Sequence, residues 1–317
     1  MAIMPWNDRV RRRLKLHDLD ILMAVMQAGG MGKAAIQLNM SQPTVSKAIA
    51  DLEQTLGVKL LDRSRRGAEP TAYGLALIKR GFAVFDELRR GVDDIDFLSD
   101  PTAGQIRMAA PEPVAAAIVS PVINEMSRQY PRIEFHVIAG DLAMLYRQLS
   151  ERKIEFVISR MLGPATEEQS AEVLFHDPLV VIAGKNNPLT RRRKLKFSEL
   201  MDEPWTVQPN DTGFGSLVAE TFRGAGLAPP RLTVATTSFN LRSELLETGR
   251  FLTVVPAFSV RLPRPHPSLK VLPVEFPHVR HRVAIITLKG LSLSPLAQLF
   301  LNRVRAIVRP LKKAPLQ

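Results

Sequence analysis

The sequence predicts a chain in three parts: a small helical module, one long helix, and a larger α/β region. Three observations support this division. Short helical patterns separated by tight turns fill residues 14–71, and one helical pattern without proline covers residues 72–98. From Gly104 to about Arg309, strand-like and helix-like segments alternate. A chain of 317 residues is long enough for two or three domains.

Composition limits the classes of protein that this chain can be. A hydrophobic content of 45% supports packed cores, and the absence of cysteine excludes disulfides, thiolate metal sites and a cysteine nucleophile. The net charge of +12 permits a polyanionic partner, but most of it lies beyond residue 100 and is not diagnostic. With no signal-peptide pattern and no apolar run of about 20 residues, we expect a cytoplasmic protein without a membrane partner.

The helical module predicts three short helices joined by tight turns. The first should cover residues 18–28 and stop at Gly29 and Gly30, which favour a left-handed helix end. The second should cover residues 32–38. Ser41 is a good N-cap for the third, which should run to Leu56.

The third helix has one apolar face and a polar start. Its apolar residues recur at helical spacing and are Val45, Ile49, Leu52 and Leu56. The residues near its start that lie elsewhere on the helix are Gln42, Thr44, Ser46, Lys47 and Ala50. Such side chains suit base edges and phosphates in a major groove, so the three helices predict a helix-turn-helix.

Residues 59–71 predict a β-wing after the third helix. Two short extended pieces flank a tip that contains Arg65, Arg66 and Gly67. Arginines at such a tip suit contacts with phosphates or the minor groove. A solvated loop on a helical domain that only packs is the alternative, and the helix-turn-helix pattern before it favours DNA.

The long helix carries an apolar stripe with residues three or four apart: Leu75, Ile78, Phe82, Phe85, Leu88, Val92 and Ile95. A stripe of this kind predicts a coiled-coil-like seam between two chains. A core helix packed within one chain is the alternative. The position after a DNA-reading module favours self-association, because paired half-sites require paired readers.

Residues 14–71 resemble the LysR-type transcriptional regulators. The positions that carry the resemblance are Ala34-Ala35, Leu38, the run from Ser41 to Ile49, Leu52-Glu53, Leu56-Gly57, the run from Leu60 to Arg63, Pro70-Thr71 and Gly74. A weaker resemblance continues to about residue 309. The chain departs from the family at Met31, where many members have a capping serine, and in its longer basic arm (residues 1–13).

The resemblance implies a helix-turn-helix over residues 31–50 and a set of DNA contacts. Groove contacts would come from Gln42, Ser46 and Lys47, and backbone contacts from Lys33 and the wing arginines. The full set of candidates is Lys33, Gln42, Pro43, Thr44, Ser46, Lys47, Arg63, Arg65, Arg66 and Thr71.

The partners implied by the resemblance are promoter DNA, a small-molecule effector, RNA polymerase and further copies of the chain. The copies would form a dimer or tetramer through the linker helix (residues 72–98) and the effector domains. The family favours an activator of a metabolic or uptake operon that also represses its own gene.

The α/β region begins with strand patterns over residues 106–110, 133–138 and 156–159, with helical patterns between them. This βαβ order predicts a parallel sheet. The resemblance implies an effector domain over residues 104–310 with two lobes, like those of periplasmic solute-binding proteins. Lobe I would hold residues 104–161 and 272–310, and lobe II residues 162–271. The chain would cross near residues 160–163 and 270–273.

Ligands in such sheets bind beyond the carboxyl ends of strands. The strand-to-helix turns give these candidates: Pro111, Glu112, Pro113, Gly140, Asp141, Arg160, Thr212, Phe214, Thr237, Ser238, Phe239 and Pro256. Glu112 and Asp141 would repel a carboxylate and accept hydrogen bonds from hydroxyls or an amine, which suggests a sugar or polyol. The module also resembles the sugar-uptake (galactose-binding-protein regulator) branch of the family. The alternative is that both acids cap their own helices.

No pattern in the sequence predicts catalysis, a metal or a cofactor. His278 and His281 lie three residues apart, but no acidic third ligand is near them. Residues 213–216 form neither a P-loop nor a nucleophile elbow. We therefore expect a regulator and not an enzyme.

Overall fold

The computed structural model describes residues 13–64, 67–224, 226–228, 232–262, 267–274 and 281–312. The chain forms two compact units that meet in sequence at Val92 and Asp93. The predicted basic arm, except Arg13, and the wing-tip residues Arg65 and Arg66 lie outside the described residues.

The first unit is a three-helix module followed by a β-hairpin and a long helix. Its elements are α1 (Leu16–Ala28), α2 (Met31–Gln37), α3 (Gln42–Leu56), β1 (Leu61–Ser64), β2 (Gly67–Pro70) and α4 (Ala72–Ser99), which continues into the second unit. Strands β1 and β2 pair antiparallel. Leu22, Val25, Val45 and Ile49 are fully buried, so α1 and α3 supply the centre of the core.

Local signals end and begin these helices where the sequence predicts. Gly29 after α1 and Gly57 after α3 adopt left-handed φ angles of 71° and 69°. Ser41 caps α3, and its Oγ accepts a hydrogen bond from the Thr44 N–H at 3.3 Å. Helix α2 has no side-chain cap, since Gly30 precedes Met31.

A buried carboxylate holds the hairpin against α3. Glu53 is 5% exposed. It accepts hydrogen bonds from Lys59 Nζ at 2.7 Å and from the Leu60 and Leu61 N–H groups at 2.8 and 3.3 Å. Burial acts to raise its pKa, but the hydrogen bonds of Lys59 and the two N–H groups hold the pKa of Glu53 below its usual value.

Two glycines of α4 allow close approach of its neighbours. A Cβ on Gly74 would overlap the Leu60 carbonyl oxygen, and one on Gly81 would lie 2.9 Å from Met23 Sδ. Gly81 is therefore a packing position, because it lets the side chains of α1 reach the helix surface. Gly91 meets nothing within 4 Å.

The apolar residues predicted as one stripe on α4 fall into two groups, one packed within the chain and one exposed. Ile78, Phe82 and Phe85 pack against the core of the first unit, as an intrachain helix would. The predicted members Leu75, Leu88, Val92 and Ile95 stay exposed. Leu75 lies on another side of the helix at about 100° per residue, whereas the other three share a side with further exposed apolar residues. We call this row the α4 stripe, and no other part of the described chain covers it: Tyr73, Val84, Leu88, Val92, Ile95 and Leu98.

The second unit contains two five-stranded sheets with helices around them. Its helices are α5 (Glu112–Val114), α6 (Ser120–Gln129), α7 (Leu142–Ser150), α8 (Gly213–Gly224), α9 (Phe239–Glu247), α10 (Phe258–Arg261) and α11 (Pro295–Val308). A π-helical segment (Ala115–Val119) joins α5 to α6. Short 3-10 helices cover Pro188–Arg191, Phe197–Leu200 and Arg309–Lys312.

The strands of the second unit are β3 (Ala103–Ala110), β4 (Arg132–Ala139), β5 (Phe156–Arg160), β6 (Gln169–Asp177), β7 (Leu179–Gly184), β8 (Trp205–Val207), β9 (Leu232–Ala235), β10 (Leu252–Pro256), β11 (Leu269–Val271) and β12 (His281–Leu288). One sheet has the order β4-β3-β5-β12-β6 and the other β11-β7-β10-β8-β9. We call the parts built on them lobe I and lobe II.

The predicted crossings between the lobes are wrong by one strand at the first crossing and by a few residues at the second. Strand β6 pairs antiparallel with β12, so residues 169–177 belong to lobe I and the chain crosses at Pro178, not near residues 160–163. Residues 269–271 still pair with β7 in lobe II, and Val274 bridges Leu195. The return therefore lies between Val274 and His281, outside the described residues.

The sheets are mixed, whereas the sequence pattern predicts a parallel sheet. Strands β3, β4 and β5 are parallel, as predicted. Strand β12 runs antiparallel to β5, and β7 runs antiparallel to β10. Strands β7 and β12 each follow a crossing between the lobes. They are not joined to the preceding strand by a βαβ connection, which would make the two strands parallel.

No single helix among the described residues has both the length and the apolar composition to cross a membrane. Helices α1 and α2, bent at 113°, pass that test only when they are counted together.

We predict opposite effects of alanine at two glycines of α4. Gly74→Ala should lower the free energy of unfolding by about 1–3 kcal/mol, because the new methyl group must displace the Leu60 carbonyl. Gly91→Ala, in open space, should raise it by about 0.5–1 kcal/mol through helix propensity. Scanning calorimetry of the full chain measures both, and equal effects would contradict the assigned contact.

Candidate nucleic-acid interface and ligand cleft

Helix α3 presents its polar start to the outside of the first unit. Gln42, Pro43, Thr44 and Lys47 are exposed, and Ser46 is half-buried. Val45 and Ile49 on the opposite face are fully buried and hold the helix against α1. The predicted groove-contacting residues therefore share one accessible surface, with the amide, hydroxyl and ammonium groups that base edges and phosphates require.

The other candidates for DNA contact fall in different places. Lys33 is exposed on α2. Arg63 lies in β1, but its side chain, like the whole of Arg65 and Arg66, is outside what the structure describes. The Thr71 hydroxyl donates to the Lys59 carbonyl at 2.7 Å and accepts from the Gly74 N–H at 3.1 Å. It therefore joins the hairpin to α4, a role different from the predicted DNA contact.

A cavity of about 390 Å³ lies between the two lobes of the second unit. This volume is in the range of small-molecule sites. Its walls include every predicted effector-binding residue except Ser238, namely Pro111, Glu112, Pro113, Gly140, Asp141, Arg160, Thr212, Phe214, Thr237, Phe239 and Pro256. Ser238 instead caps α9, where its Oγ accepts from the Leu241 N–H at 3.2 Å.

The two acidic side chains of the cleft differ in their local role. Asp141 caps α7 and accepts a hydrogen bond from the Met144 N–H at 3.0 Å. Glu112 lies in the first turn of α5, which has no side-chain cap. Capping therefore accounts for Asp141 but not for Glu112, and both carboxylates are exposed at the cleft.

Arg160 is a buried cation in the cleft wall, at the end of β5. It is 6% exposed, and its Nη2 donates to Asp177 Oδ2 at 2.8 Å. Its Nε and Nη1 are buried without a hydrogen-bond partner among the described residues. Asp177 Oδ1 also accepts from the Phe258 N–H at 3.0 Å, so this carboxylate links β6 to the turn after β10.

Burial dominates the electrostatics of this pair. It lowers the pKa of Arg160 to about 10, against the opposing effect of Asp177. It raises the pKa of Asp177 to about 6, although Arg160 and the Phe258 and Ala257 N–H groups act to lower it. Arg160 and Asp177 are paired with each other at neutral pH. The Nε and Nη1 groups of Arg160 donate no hydrogen bond to the described residues and can serve another acceptor.

A second buried cation, Arg242 on α9, was missed by the sequence analysis. It is 4% exposed, lines the cavity, and has a buried Nε without a partner in the described part of the chain. Its guanidinium carbon lies 5.9 Å from the Phe239 ring centroid. Desolvation lowers the pKa of Arg242, and the charge of Glu112 opposes this. Arg242 follows the predicted Phe239 by one helical turn, so helical spacing could have found it.

Gly213 and Val255, which adjoin predicted residues in the same turns, also line the cleft. The remaining lining residues that the sequence did not indicate are mostly apolar: Val114, Leu142, Leu162, Gln208 and Phe258. Leu162 is 45% exposed and so lies at the rim. A Cβ on Gly213 would be 2.6 Å from Leu162 Cδ1, so the two lobes approach closely here. The Thr212 hydroxyl is used locally, since it donates to the Pro209 carbonyl at 2.7 Å and accepts from Gly215 N–H at 3.1 Å.

His281 lies at the start of β12, near the ion pair of Arg160 and Asp177. Burial and the nearby charge of Arg160 lower the pKa of His281 to about 4. His278, three residues before it in the sequence, falls outside the described residues. Within the part of the chain that the structure describes, no three His, Asp or Glu side chains are grouped to hold a metal ion.

We predict that His281 makes the fold sensitive to acid. Its folded pKa of about 4 is below the ordinary value of 6.5, so its contribution is present above pH 6.5 and is lost as pH falls toward 4. His281→Gln should therefore lose less thermal stability between pH 7 and pH 5 than the unmodified chain. His136→Gln, at an exposed site on β4, is the control. Parallel curves of Tm against pH for all three proteins would contradict the assignment.

Comparison with known proteins follows the same two-part division. Residues 16–75 match the family described as "Bacterial regulatory helix-turn-helix protein, lysR family", and residues 99–309 match the "LysR substrate binding domain". The chain is 28% identical over 309 residues to the HTH-type transcriptional regulator GbpR of Azospirillum brasilense, covering 95% of this chain and 89% of that protein. It is 26% identical over 292 residues to the transcriptional dual regulator GltC of Bacillus subtilis, covering 90% and 95%.

Solved structures share the fold. Full-length OxyR of Pseudomonas aeruginosa is 20% identical with a TM-score of 0.65, covering 93% of this chain and 95% of that one. CbnR, a LysR family transcriptional regulator, is 21% identical with a TM-score of 0.53, covering 92% and 100%. The similar proteins are named as regulators of transcription, not as enzymes. The chain belongs to the LysR family of DNA-binding transcription regulators, with an N-terminal helix-turn-helix and a two-lobed effector-binding domain.

Proposed function

We propose that this regulator reads promoter DNA with the first turns of α3 and is controlled by a small molecule held in the cleft. The observation that carries the DNA-reading part is the two-sided character of α3. Gln42, Thr44 and Lys47 are exposed, while Val45 and Ile49 are fully buried. A helix held by one face and polar on the other can enter a major groove without unfolding its own module.

In this proposal the base edges of the major groove are contacted by Gln42, Ser46 and Lys47. Other residues of the module contact the phosphate backbone. Lys33 on α2 is exposed and suits this role, and we propose the same for Arg63, Arg65 and Arg66 of the wing. Cationic side chains at these places would orient α3 and supply most of the salt-dependent affinity.

We propose that two copies of the chain pair through the α4 stripe, with the effector domains giving a dimer or a tetramer. The exposed fractions of 49%, 57% and 63% for Leu88, Val92 and Ile95 support this, because a soluble helix rarely leaves such a row uncovered. Pairing would also place two reading helices on one palindromic operator.

We propose that the regulator acts in the cytoplasm and activates a metabolic or uptake operon by contact with RNA polymerase. The cavity between the lobes supports control by a metabolite, since its closure would couple ligand binding to the lobes' arrangement. A sugar or polyol effector, expected from Glu112 and Asp141, stays a prediction.

Binding to the DNA upstream of the chain's own gene tests the proposed function. In a gel-shift titration, this DNA should bind more tightly than random duplex of equal length at physiological salt. Equal affinity for both duplexes would contradict sequence-specific regulation.

Lys47→Ala should weaken promoter binding and reduce the slope of log affinity against log salt by about one unit, because one phosphate or groove contact is lost. Fluorescence anisotropy across a salt series measures the slope. Lys270→Ala changes an exposed lysine in lobe II and serves as the matched control. An unchanged slope in Lys47→Ala would reject its placement at the DNA.

Leu88→Glu should shift the protein toward monomer in sedimentation velocity, because it places a charge within the α4 stripe. Asp51→Lys changes an exposed charge on α3, outside α4, and should leave the assembly intact. If Leu88→Glu assembles like the unmodified chain, the α4 stripe is not the pairing surface.

A further inference from the structure

The cleft contains two buried guanidinium groups, a feature that the sugar or polyol hypothesis did not weigh. Arg160 and Arg242 are 6% and 4% exposed, and both line the cavity. One belongs to lobe I and the other to lobe II. Buried arginines are rare unless they are paired, so their presence in a ligand cavity indicates what the cavity holds.

The two arginines differ in their charge balance. The charge of Arg160 is balanced by Asp177, with an Nη2–Oδ2 distance of 2.8 Å. Arg242 forms no ion pair and donates no hydrogen bond within the described residues, and its Nε is buried without a partner. Its contact is the Phe239 ring, and Glu112 acts on it only at longer range. Arg242 is therefore a buried cation without an ion-pair contact among the described residues, and its charge is opposed only by the more distant, exposed Glu112.

Both arginines also have N–H groups that donate no hydrogen bond within the described residues. Nε and Nη1 of Arg160 and Nε of Arg242 lack acceptors among the described side chains and backbone groups. A neutral hydroxyl could accept these hydrogen bonds, but it would place no negative charge in contact with Arg242. A carboxylate satisfies the donors and the charge together, and guanidinium–carboxylate contacts are among the stronger hydrogen bonds in proteins.

We infer that the effector of this regulator is a small organic acid whose carboxylate binds between Arg160 and Arg242. The inference deepens the proposed function and rests on it. A monoanion fits better than a dianionic phosphate, because the carboxylates of Glu112 and Asp141 line the same cavity and repel additional negative charge. The exposed carboxylates of Glu112 and Asp141 line the same cavity and can accept hydrogen bonds from hydroxyl or amino groups on the rest of the molecule. The class is therefore a hydroxy or amino carboxylic acid.

Pairs of probes that differ only in the carboxylate test this inference. Gluconate and sorbitol share one carbon skeleton, as do glycolate and ethylene glycol, and each pair replaces a carboxylate by a CH2OH group. Titration calorimetry on the full chain at constant ionic strength should show each acid binding about tenfold or more tightly than its alcohol. The preference of the gluconate pair would also decide directly between an acid and a polyol.

Variants of Arg242 test whether the preference for the acid over its alcohol arises in the cleft. Arg242→Gln should abolish the preference for the acid, and Arg242→Lys should keep part of it because the charge remains. Arg250→Gln removes an exposed arginine of the same lobe, whose guanidinium lies over the Phe251 ring, and should behave like the unmodified chain. Circular dichroism and binding to the upstream DNA show that each variant is folded.

Two results would overturn the inference. One is that neither acid binds more tightly than its alcohol, and the other is that the preference survives in Arg242→Gln. Either result with intact binding to the upstream DNA removes the organic acid and leaves the proposed regulator in place. Loss of preference for the upstream DNA in the unmodified chain would instead contradict the proposed function.

Discussion

The buried ion pair between Arg160 and Asp177 is the contact on which the arrangement of the effector-binding domain depends. Asp177 is the last residue of lobe I before the chain crosses at Pro178, and it also receives the Phe258 N–H from the turn after β10. One carboxylate of lobe I therefore joins β5, β6 and the turn after β10, which belongs to lobe II. A pair buried this deeply stabilises little in net terms, but losing one partner costs about 3–5 kcal/mol. Its effect is to fix where the lobes meet.

The first unit uses a buried carboxylate in a similar way. Glu53 receives the Leu60 and Leu61 N–H groups, and so sets where the wing hairpin leaves α3. Thr71 and Gly74 then set where α4 begins, through the Thr71 hydroxyl and the close approach to the Leu60 carbonyl. In each unit a polar group inside the fold positions the elements that carry recognition, while the apolar cores hold those elements in place.

The sequence predicts best what local chemistry decides. Ser41, Gly29 and Gly57 mark the helix ends correctly, because caps and left-handed turns depend on neighbouring residues. The position of β6 could not be predicted, since it depends on pairing with β12 much later in the chain. The strand-to-helix turns located the cleft, but Arg242 lies one helical turn inside α9, and its burial depends on tertiary packing that the sequence of α9 does not specify.

The closeness of Gly213 to Leu162 bears on the entrance to the cavity. The two residues belong to different lobes, and a Cβ at residue 213 would lie 2.6 Å from Leu162 Cδ1, so a larger residue there would have to push the Leu162 side chain aside. Leu162 is 45% exposed at the rim, so a larger residue 213 would change the shape of the rim and leave Arg160 and Arg242 in the cavity wall unchanged. The size of the residue at position 213 therefore sets the width of the entrance independently of the charged groups inside.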